Sequence, residues 1–280
     1  MSRSITREST AVVTGAGSGI GRAIARELAR RGSRVVCADI DLDRATATVE
    51  LVSEGGGEAV AQACDVSRLE QVEDLADAAV EHFGEAATVI VNNAGIGVGG
   101  STIGAIDITD WRRAVDVNLW GVVHGCHVFA PILRQNGKGG ILNVASAASF
   151  GSAAGMGPYN VTKAGVVSLS ETLAAELAGT GIRVSVLCPT FVRTQIVDDA
   201  IVDAQSQRLA TQLMRFTGRS ADRVARIALD GLDAGRLYVM PQVEAKALWR
   251  LKRLAPRAYL AGARTINRLG VGVSAEKARS

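Results

Sequence analysis

The sequence predicts an α/β protein in which a doubly wound parallel β-sheet is flanked by helices. Short β-branched runs alternate with longer helical patterns along most of the 280 residues. Several runs are apolar without alternation, as in Val-Ile-Val at 89–91, which is typical of strands covered on both faces. The 31 glycines and 5 prolines suit many tight turns between uninterrupted helices. Because β-α-β connections are right-handed, this order predicts one parallel sheet with helices on both faces.

Each element is placed by its own apolar pattern. Strands are expected at 11–14, 34–38, 59–63, 88–92, 141–145, 182–187 and 237–240, and helices at 20–31, 43–54, 68–83, 110–135, 158–179 and 220–234. These elements form one domain, 1–240, followed by a basic C-terminal extension, 241–280. Within the domain, 191–218 carries no strand pattern and is long for a connection, so it is expected to form a substrate lid.

Composition and charge exclude several classes of protein. A net charge of +3 is too small for the chain as a whole to bind polyanions. The four cysteines, Cys37, Cys64, Cys126 and Cys188, form no CxxC pair and are expected to be core residues in a reducing compartment. The sequence contains no signal-peptide pattern and no apolar run near the roughly 18 residues of a membrane span. A cytoplasmic location is therefore expected.

A glycine-rich turn, TGAGSGIG at 14–21, joins the first strand to the first helix. Its spacing is TGxxxGIG rather than GxGxxG. Glycines let the backbone approach a pyrophosphate, which then lies on the positive N-terminus of the helix. The turn therefore predicts a dinucleotide site that includes Gly15, Ser18, Gly19 and Ile20, although an ordinary sharp turn has the same composition.

Asp39 follows the second strand, where a carboxylate accepts hydrogen bonds from the adenosine ribose hydroxyls. A carboxylate there repels a 2′-phosphate, and Ser18 offers no positive charge to offset it, so NAD is favoured over NADP. The alternative role for Asp39 is a helix N-cap. Asp41 and Asp43 are better placed to cap the next helix, which leaves Asp39 for the ribose.

Two further motifs end strands on the side where such sheets bind ligands. Asp65 and Val66 follow the third strand, and Asn92-Asn93-Ala94-Gly95 follows the fourth. Together with the glycine turn they line one sheet edge. Asp65, Val66, Asn92, Ala94 and Gly95 are therefore predicted to bind the cofactor.

Tyr159 and Lys163 are spaced i, i+4 in YNVTK, so a helix places both on one face. A phenol has an unperturbed pKa of about 10, and a neighbouring ammonium favours the phenolate. Lowering that pKa by ~3 units takes about 4 kcal/mol. A lone YxxxK also describes a Lys lying beside a half-buried Tyr. Two more polar residues extend the pattern, Ser146 after the fifth strand and Asn118 within DVNLWG.

These motifs, in this order, resemble the short-chain dehydrogenase/reductase family over roughly residues 8–240. The matching pieces are TGAGSGIG, Asp65-Val66, NNAG, Asn118, Ser146 and YNVTK. The resemblance implies a Rossmann-type fold and an enzyme that transfers a hydride between a CH–OH group and NAD(P). NAD is the preferred cofactor here. Tyr159 would be the general acid/base, and Ser146 would hold and polarise the substrate oxygen. Lys163 would lower the pKa of Tyr159 and hold the nicotinamide ribose, while Asn118 would anchor a relay water.

The family also implies cofactor contacts where the sixth strand ends. Pro189, Val192 and Thr194 match positions beside the nicotinamide, but Thr190 replaces the family's usual glycine. The substrate site would comprise Ser146 and Tyr159 with the lid residues Phe191, Leu213 and Met214. Their apolar character favours a hydrophobic secondary alcohol or ketone. A homodimer or homotetramer is expected from the family and from the apolar helices at 110–135 and 158–179.

Other readings of the sequence remain open. A dinucleotide-binding sensor without catalysis is the alternative to an enzyme. His124, Cys126 and His127 resemble metal ligands but lie in an apolar helix, so no metal is expected. The extension has seven basic residues and no acidic residue from Lys246 to Ser274. It either packs on protein or contacts anionic lipid, as in a peripheral membrane-associated reductase, and packing is favoured. Nucleic acid is not an expected partner.

Overall fold

The computed structural model describes residues 4–193, 201 and 219–268. Seven strands form one parallel sheet. In chain order they are Thr10–Thr14 (β1), Arg34–Asp39 (β2), Glu58–Ala63 (β3), Val89–Asn92 (β4), Gly139–Val144 (β5), Ile182–Leu187 (β6) and, after a separate pair of short parallel strands, Tyr238–Val239 (β9). That pair consists of Val192–Arg193 (β7) and Arg219–Ser220 (β8). The order across the main sheet is β3-β2-β1-β4-β5-β6-β9, which confirms the predicted fold class.

Helices connect the strands and cover both faces of the sheet. They are Gly19–Arg30 (α1), Leu42–Glu54 (α2), Leu69–Phe83 (α3), Ile108–Val115 (α4), Gly121–Asn136 (α5), Ala148–Gly151 (α6), Gly157–Glu176 (α7), Ala221–Asp233 (α8), Val243–Leu254 (α9) and Pro256–Arg268 (α10). A π-helical turn, Asp116–Trp120, joins α4 to α5. Among the described residues, no helix is both long enough and apolar enough to cross a bilayer.

Most sequence-based boundaries differ from the structure by one to three residues, and the helix predicted at 110–135 is divided by the π-helical turn. The last predicted strand, 237–240, shortens to Tyr238–Val239, and the helix predicted at 158–179 ends at Glu176. Within 191–218, predicted to hold no strand, Val192–Arg193 pairs with Arg219–Ser220. Two-residue strands are too short to produce a hydrophobic pattern, so the sequence gives no signal for this pair.

The central strands contribute apolar side chains to both faces of the sheet. Val12 and Ile90 are register partners and belong to one core cluster, whereas the next pair, Val13 and Val91, belongs to the other. All four are fully buried. Each such side chain contributes roughly 1.5–3 kcal/mol of hydrophobic stabilisation when it leaves water. This two-sided burial explains why the strand segments lack alternation.

The strand order reverses at β1, which has β2 on one side and β4 on the other. Chains leaving β1 and β4 therefore diverge to opposite faces and open a crevice at the carboxyl ends of these strands. The glycine turn at 14–21 and Asn93-Ala94 follow β1 and β4 directly. The topology thus brings the predicted cofactor motifs together at one edge.

The described part of the extension packs on its own chain. Ala245 on α9 is fully buried, and the Trp249 ring lies 5.5 Å from the ring of Tyr238, centroid to centroid. On α10, the buried Tyr259 donates its hydroxyl to the carbonyl oxygen of Gly151. The sequence left two alternatives for the extension, packing on protein or contact with anionic lipid. The side of the extension that faces the domain packs on protein.

Candidate active site

The glycine turn has the geometry of a phosphate cradle. Gly15 and Gly19 have φ of +62° and +52°, a region that side chains disfavour. A Cβ on Gly21 would lie 2.1 Å from the Gly15 carbonyl oxygen, so only glycine fits there. Ser18 is extended and its side chain does not cap α1, and the first turn carries no acidic residue. The positive N-terminus of α1 is therefore open to a pyrophosphate, and the residues present fit that group.

Asn93 holds this turn in place, a role that the sequence motif did not assign to it. Its Nδ2 donates to the carbonyl oxygens of Thr14 at 2.9 Å and Gly15 at 3.0 Å. Its backbone amide donates to Thr14 Oγ1 at 3.0 Å. Asn93 thus ties the chain after β4 to the chain after β1 across the crevice.

Asn92, which we predicted to bind the cofactor, directs its side chain into the core, so only its backbone is available to a ligand. Its side chain is only 2% exposed, and its Nδ2 donates to Asn143 Oδ1 at 2.8 Å inside the core. Asn143 Nδ2 in turn donates to Ser170 Oγ at 3.0 Å. Asn92 is the last residue of β4, and alternation along the strand points its side chain into the protein.

Asp39 is fixed beside the glycine turn. Its Oδ2 accepts a hydrogen bond from the Gly17 amide at 2.8 Å, and its Oδ1 accepts one from the Asp41 amide at 3.1 Å. Asp41, not Asp39, caps α2 by accepting a hydrogen bond from the Arg44 amide. The carboxylate of Asp39 is therefore held beside the glycine turn at the crevice.

Asp65 and Val66 lie at the end of β3, where their side chains have structural partners. Asp65 Oδ1 accepts hydrogen bonds from the amide and the hydroxyl of Ser67, at 3.0 and 2.7 Å. Val66 is buried against Gly121, and its carbonyl oxygen accepts a hydrogen bond from His124 Nδ1 at 2.9 Å. In the described part of the chain, no group of three His, Cys, Asp or Glu side chains is arranged to hold a metal ion.

The predicted reacting residues meet at the carboxyl end of β5. Ser146 follows this strand, and its hydroxyl lies near enough to that of Tyr159 on α7 to lower the pKa of the phenol. Lys163, one helical turn further, is 3% exposed and donates from Nζ to the Val144 carbonyl oxygen at 3.0 Å. Its ammonium lies 5.8 Å from the centroid of the Tyr159 ring. The structure therefore brings Ser146, Tyr159 and Lys163 together.

Burial dominates the electrostatics of this group. Desolvation raises the pKa of Tyr159, while the hydrogen bond from Ser146 acts in the opposite direction. Desolvation also lowers the pKa of Lys163 to about 8. The expected net lowering of the Tyr159 pKa is therefore not found in this structure, because burial of the phenol outweighs its favourable contacts.

Asn118 lies in the π-helical turn and is fully buried. Its Oδ1 accepts a hydrogen bond from the Ile96 amide at 2.8 Å, and its Nδ2 donates to the Ile96 carbonyl oxygen at 2.9 Å. A Cβ on Gly95 would lie 2.9 Å from Asn118 Oδ1 and 3.2 Å from Lys163 Nζ. Gly95 therefore permits Asn118 and Lys163 to approach the same point, although the Asn118 amide is occupied by backbone partners.

A glutamine from the extension holds the loop that follows β6. Gln242, 1% exposed, accepts a hydrogen bond from the Thr190 amide through Oε1 and donates through Nε2 to the Phe191 carbonyl oxygen, both at 3.2 Å. The Pro189 carbonyl oxygen accepts a hydrogen bond from the Ala147 amide at 2.8 Å. The family usually has glycine at the position of Thr190. Among described non-glycine residues only Glu8 and Ser152 have positive φ, so the backbone at Thr190 has a conformation that does not require glycine.

Of the remaining predicted site residues, Val192 lies within the described part of the chain. The Val192 side chain is 4% exposed and belongs to the core, so its backbone rather than its side chain is available to a ligand. Thr194, Leu213 and Met214 lie outside the described residues. Ile201, which is described, forms a parallel bridge with Val98 beyond the end of β4.

Comparison with known proteins identifies the family of this chain. The family model for short chain dehydrogenases matches residues 9–204. The 1-deoxy-11-beta-hydroxypentalenate dehydrogenase of Streptomyces avermitilis is 33% identical over 240 residues, which cover 85% of this chain and 86% of that protein. The 7alpha-hydroxysteroid dehydrogenase of Escherichia coli is 33% identical over 220 residues, covering 78% and 85%.

A solved structure is also similar along nearly its whole length. The short-chain dehydrogenase/reductase from Burkholderia phymatum in complex with NAD superimposes with a TM-score of 0.84 at 35% identity, covering 91% of this chain and 96% of that one. Family model, relatives and solved structure thus agree on the family and on the fold. The chain belongs to the short-chain dehydrogenase/reductase family of oxidoreductases.

Proposed function

We propose that this chain is an NAD-dependent oxidoreductase that interconverts a hydrophobic secondary alcohol and its ketone, with Tyr159 as the general acid/base. The observation that carries the proposal is the grouping of the Tyr159 phenol with the Ser146 hydroxyl and with the buried ammonium of Lys163, which lies 5.8 Å from the centroid of the same ring. A phenol, a hydroxyl and an ammonium at this spacing suit proton transfer to and from a carbonyl oxygen.

In the oxidation direction, the Tyr159 phenolate takes the hydroxyl proton of the alcohol while the carbinol carbon loses a hydride. Bound NAD supplies the hydride acceptor in this chemistry. Ser146 donates a hydrogen bond to the substrate oxygen and holds it in line with Tyr159. Lys163 stabilises the phenolate through space, and the proton leaves by a relay that we assign to Lys163 and a water near Asn118. In the reduction direction, Tyr159 returns the proton to the oxygen.

The cofactor contacts follow from the crevice. The backbone at Gly15, Ser18, Gly19 and Ile20 would hold the pyrophosphate, and Asp39 would accept from the adenosine ribose. Asp65 and Val66 would border the adenine, and Ala94 and Gly95 the ribose near Lys163. Pro189 and the Val192 backbone would flank the nicotinamide. The fixed negative charge of Asp39 supports NAD over NADP, and the similar Burkholderia phymatum structure holds NAD.

The substrate class is inferred from the relatives and from one wall of the site. The relatives named above act, by their names, on a hydroxypentalenate and a hydroxysteroid. The half-buried Phe191 follows β6 on the side of the reacting residues. Both observations support an apolar substrate with a secondary hydroxyl, bound by Ser146, Tyr159 and Phe191.

We also infer a homodimer or homotetramer. Trp120, just before α5, is 50% exposed, and Val161 on α7 is 54% exposed. A two-fold pairing of these helices would bury both side chains. Sedimentation at micromolar concentration tests this inference, and a monomer would contradict it.

The direct test of the reaction is to mix the purified protein with NAD and a panel of secondary alcohols, including hydroxysteroids, and to follow nicotinamide absorbance. Turnover that disappears in Tyr159→Phe supports the proposal. Tight NAD binding measured by calorimetry, without turnover on any alcohol or ketone of a broad panel, would favour a sensor instead.

A further inference from the structure

We propose that the outer face of α9 and α10 is a docking surface for a bilayer that contains anionic lipid. We call this face the basic surface and define it by its aliphatic and cationic members, Val243, Lys246, Arg250, Leu251, Leu254, Arg257, Leu260 and Arg264. All of them are exposed. The inference concerns binding and is independent of the proposed reaction.

The inner sides of the two helices fix which residues face outward. Ala245 and Tyr259 are buried against the domain, and a Cβ on Gly151 would lie 3.3 Å from Leu248 Cδ2. Lys252 and Arg253 are engaged in the same contact. Lys252 Nζ donates to Ser152 Oγ at 3.2 Å, and the Arg253 guanidinium lies 4.4 Å from the centroid of the Trp249 ring. Packing therefore anchors α9 and α10 by one side only.

Large aliphatic side chains lie on the opposite side. Val243 is 70% exposed, Leu254 is 83% exposed and Leu260 is 52% exposed. Val243, Arg250 and Leu254 follow one another at spacings of seven and four residues, so they share one face of α9. The domain does not bury these aliphatic side chains. In a bilayer, such side chains insert at the boundary between the lipid headgroups and the acyl chains.

Cations surround these aliphatic side chains, and the one carboxylate on α9 and α10 is that of Glu244, which accepts a hydrogen bond from Thr190 Oγ1 at 3.2 Å. Lys246, Arg250, Arg257 and Arg264 are exposed, and none of them forms an ion pair with a carboxylate in the described ranges. The sequence contains no Asp or Glu between Lys246 and Thr265. This arrangement complements a negatively charged surface, and long basic side chains can reach phosphate while the aliphatic groups enter the boundary layer.

Other occupants match the basic surface less well. A second copy paired about a two-fold axis would bring the same four cations against themselves. A nucleic acid would satisfy the cations but leave Val243 and Leu254 in water, because phosphate contacts bury no aliphatic groups. Anionic lipid satisfies both kinds of side chain at once.

The extension that carries the basic surface also contacts loops beside the candidate active site. Tyr259 bonds the carbonyl oxygen of Gly151, and Gln242 holds Thr190 and Phe191, so the extension contacts two loops that follow β5 and β6. If the proposed function is correct, a docked bilayer would stand beside the entrance for an apolar substrate.

The test is sedimentation of the full-length protein with sucrose-loaded vesicles of phosphatidylcholine, with and without a third of phosphatidylserine. We expect binding only to the anionic vesicles, weakening as salt is raised. Arg257→Glu/Arg264→Glu should reduce the partition coefficient by more than tenfold, because each cation near an anionic bilayer contributes about fivefold to the binding constant. Leu254→Gln/Leu260→Gln should also weaken binding while all charges remain.

The matched control is Arg112→Glu/Arg113→Glu on α4, which changes the net charge equally at another exposed site. This variant should bind like the wild type. Equal losses in both charge variants, or no binding of the wild type to anionic vesicles at low salt, would overturn the proposal. Thermal unfolding of each variant shows whether it is folded. Binding that is normal in an enzyme without turnover would refute only the proposed reaction.

Discussion

The ammonium of Lys163 stands 5.8 Å from the centroid of the Tyr159 ring and donates a hydrogen bond to the Val144 carbonyl oxygen at 3.0 Å. Val144 ends β5, and Ser146, two residues later, lies near the Tyr159 hydroxyl and lowers its pKa. One strand end therefore fixes both the acid and the cation beside it. In this arrangement the Lys163 ammonium lies near the Tyr159 ring, and the Ser146 hydroxyl lies near the phenol itself.

Replacing Tyr159 with Phe removes the acid while keeping the ring. Because loss of a general acid/base typically costs about 10²–10⁴ in rate, we expect kcat to fall by at least that range while NADH binding by calorimetry stays near wild type. Tyr238→Phe is the matched control, since that hydroxyl bonds Glu171 outside the site. A Tyr159→Phe enzyme with nearly full turnover would contradict the assignment.

Ser146→Ala should change the pH dependence as well as the rate. The Ser146 hydrogen bond lowers the pKa of Tyr159, whereas burial raises it. Removing the lowering contribution leaves a higher pKa, so the basic form of Tyr159 appears only at higher pH. We therefore expect the rise of kcat/KM for alcohol oxidation to move to higher pH. An unchanged pH profile with reduced kcat would mean that Ser146 holds substrate without affecting the phenol.

Lys163 makes a separate, testable contribution to the stability of the cofactor-free protein. Burial lowers its pKa from an ordinary value of 10.5 to about 8. Between these values the unfolded chain binds more protons than the folded one, so this residue makes stability rise with pH across that window. The gain is about 3 kcal/mol, from about 1.4 kcal/mol per pKa unit.

The measurement is the free energy of unfolding of wild type minus that of Lys163→Met, from denaturant titrations between pH 7 and about pH 10. The difference isolates Lys163, because nearby Cys188, whose pKa burial raises to about 12, is present in both proteins. We expect the difference to grow in favour of the wild type above about pH 8. A difference that stays constant with pH would show that Lys163 titrates normally.

Asp39→Ala should narrow the preference for NADH over NADPH. The wild-type carboxylate is held at the crevice by the Gly17 and Asp41 amides, so it cannot turn away from a 2′-phosphate. We expect wild type to bind NADH more tightly and the variant to bind the two cofactors more equally, measured by calorimetry. Asp43→Ala, on α2, serves as the charge-matched control. Tighter NADPH binding by the wild type would refute the assignment of Asp39.

The strands and helices could be predicted because their sequence signals are local. The site was harder to predict because its contacts join residues that are far apart in the sequence. Apolar runs and the TGxxxGIG turn place the sheet and its crevice. In NNAG, however, the motif does not say which asparagine faces the crevice. The strand ending at Asn92 points that side chain into the core and leaves Asn93 to bind the turn. Gln242 was missed because it reaches a loop 52 residues earlier, a separation over which a sequence pattern carries no signal.

Gln242 provides the last prediction. It is 1% exposed, and its amide satisfies the Thr190 amide and the Phe191 carbonyl oxygen in the loop that we expect beside the nicotinamide. Gln242→Leu keeps the volume roughly but leaves both backbone groups unpaired in a buried place. Each unsatisfied group costs about 1–3 kcal/mol, so we expect clear destabilisation.

Loss of these two hydrogen bonds should also weaken cofactor binding, since the same loop carries Pro189 and Val192. We expect Gln242→Leu to raise the KM for NAD and weaken NADH binding in calorimetry, under conditions where the variant remains folded by circular dichroism. Gln135→Leu on α5, where the side chain is exposed, should leave both stability and NADH affinity unchanged. If Gln242→Leu is destabilised but binds NADH as tightly as wild type, Gln242 supports the fold without positioning the loop. If it is as stable as wild type, the two hydrogen bonds contribute nothing measurable, because water replaces the glutamine amide at Thr190 and Phe191.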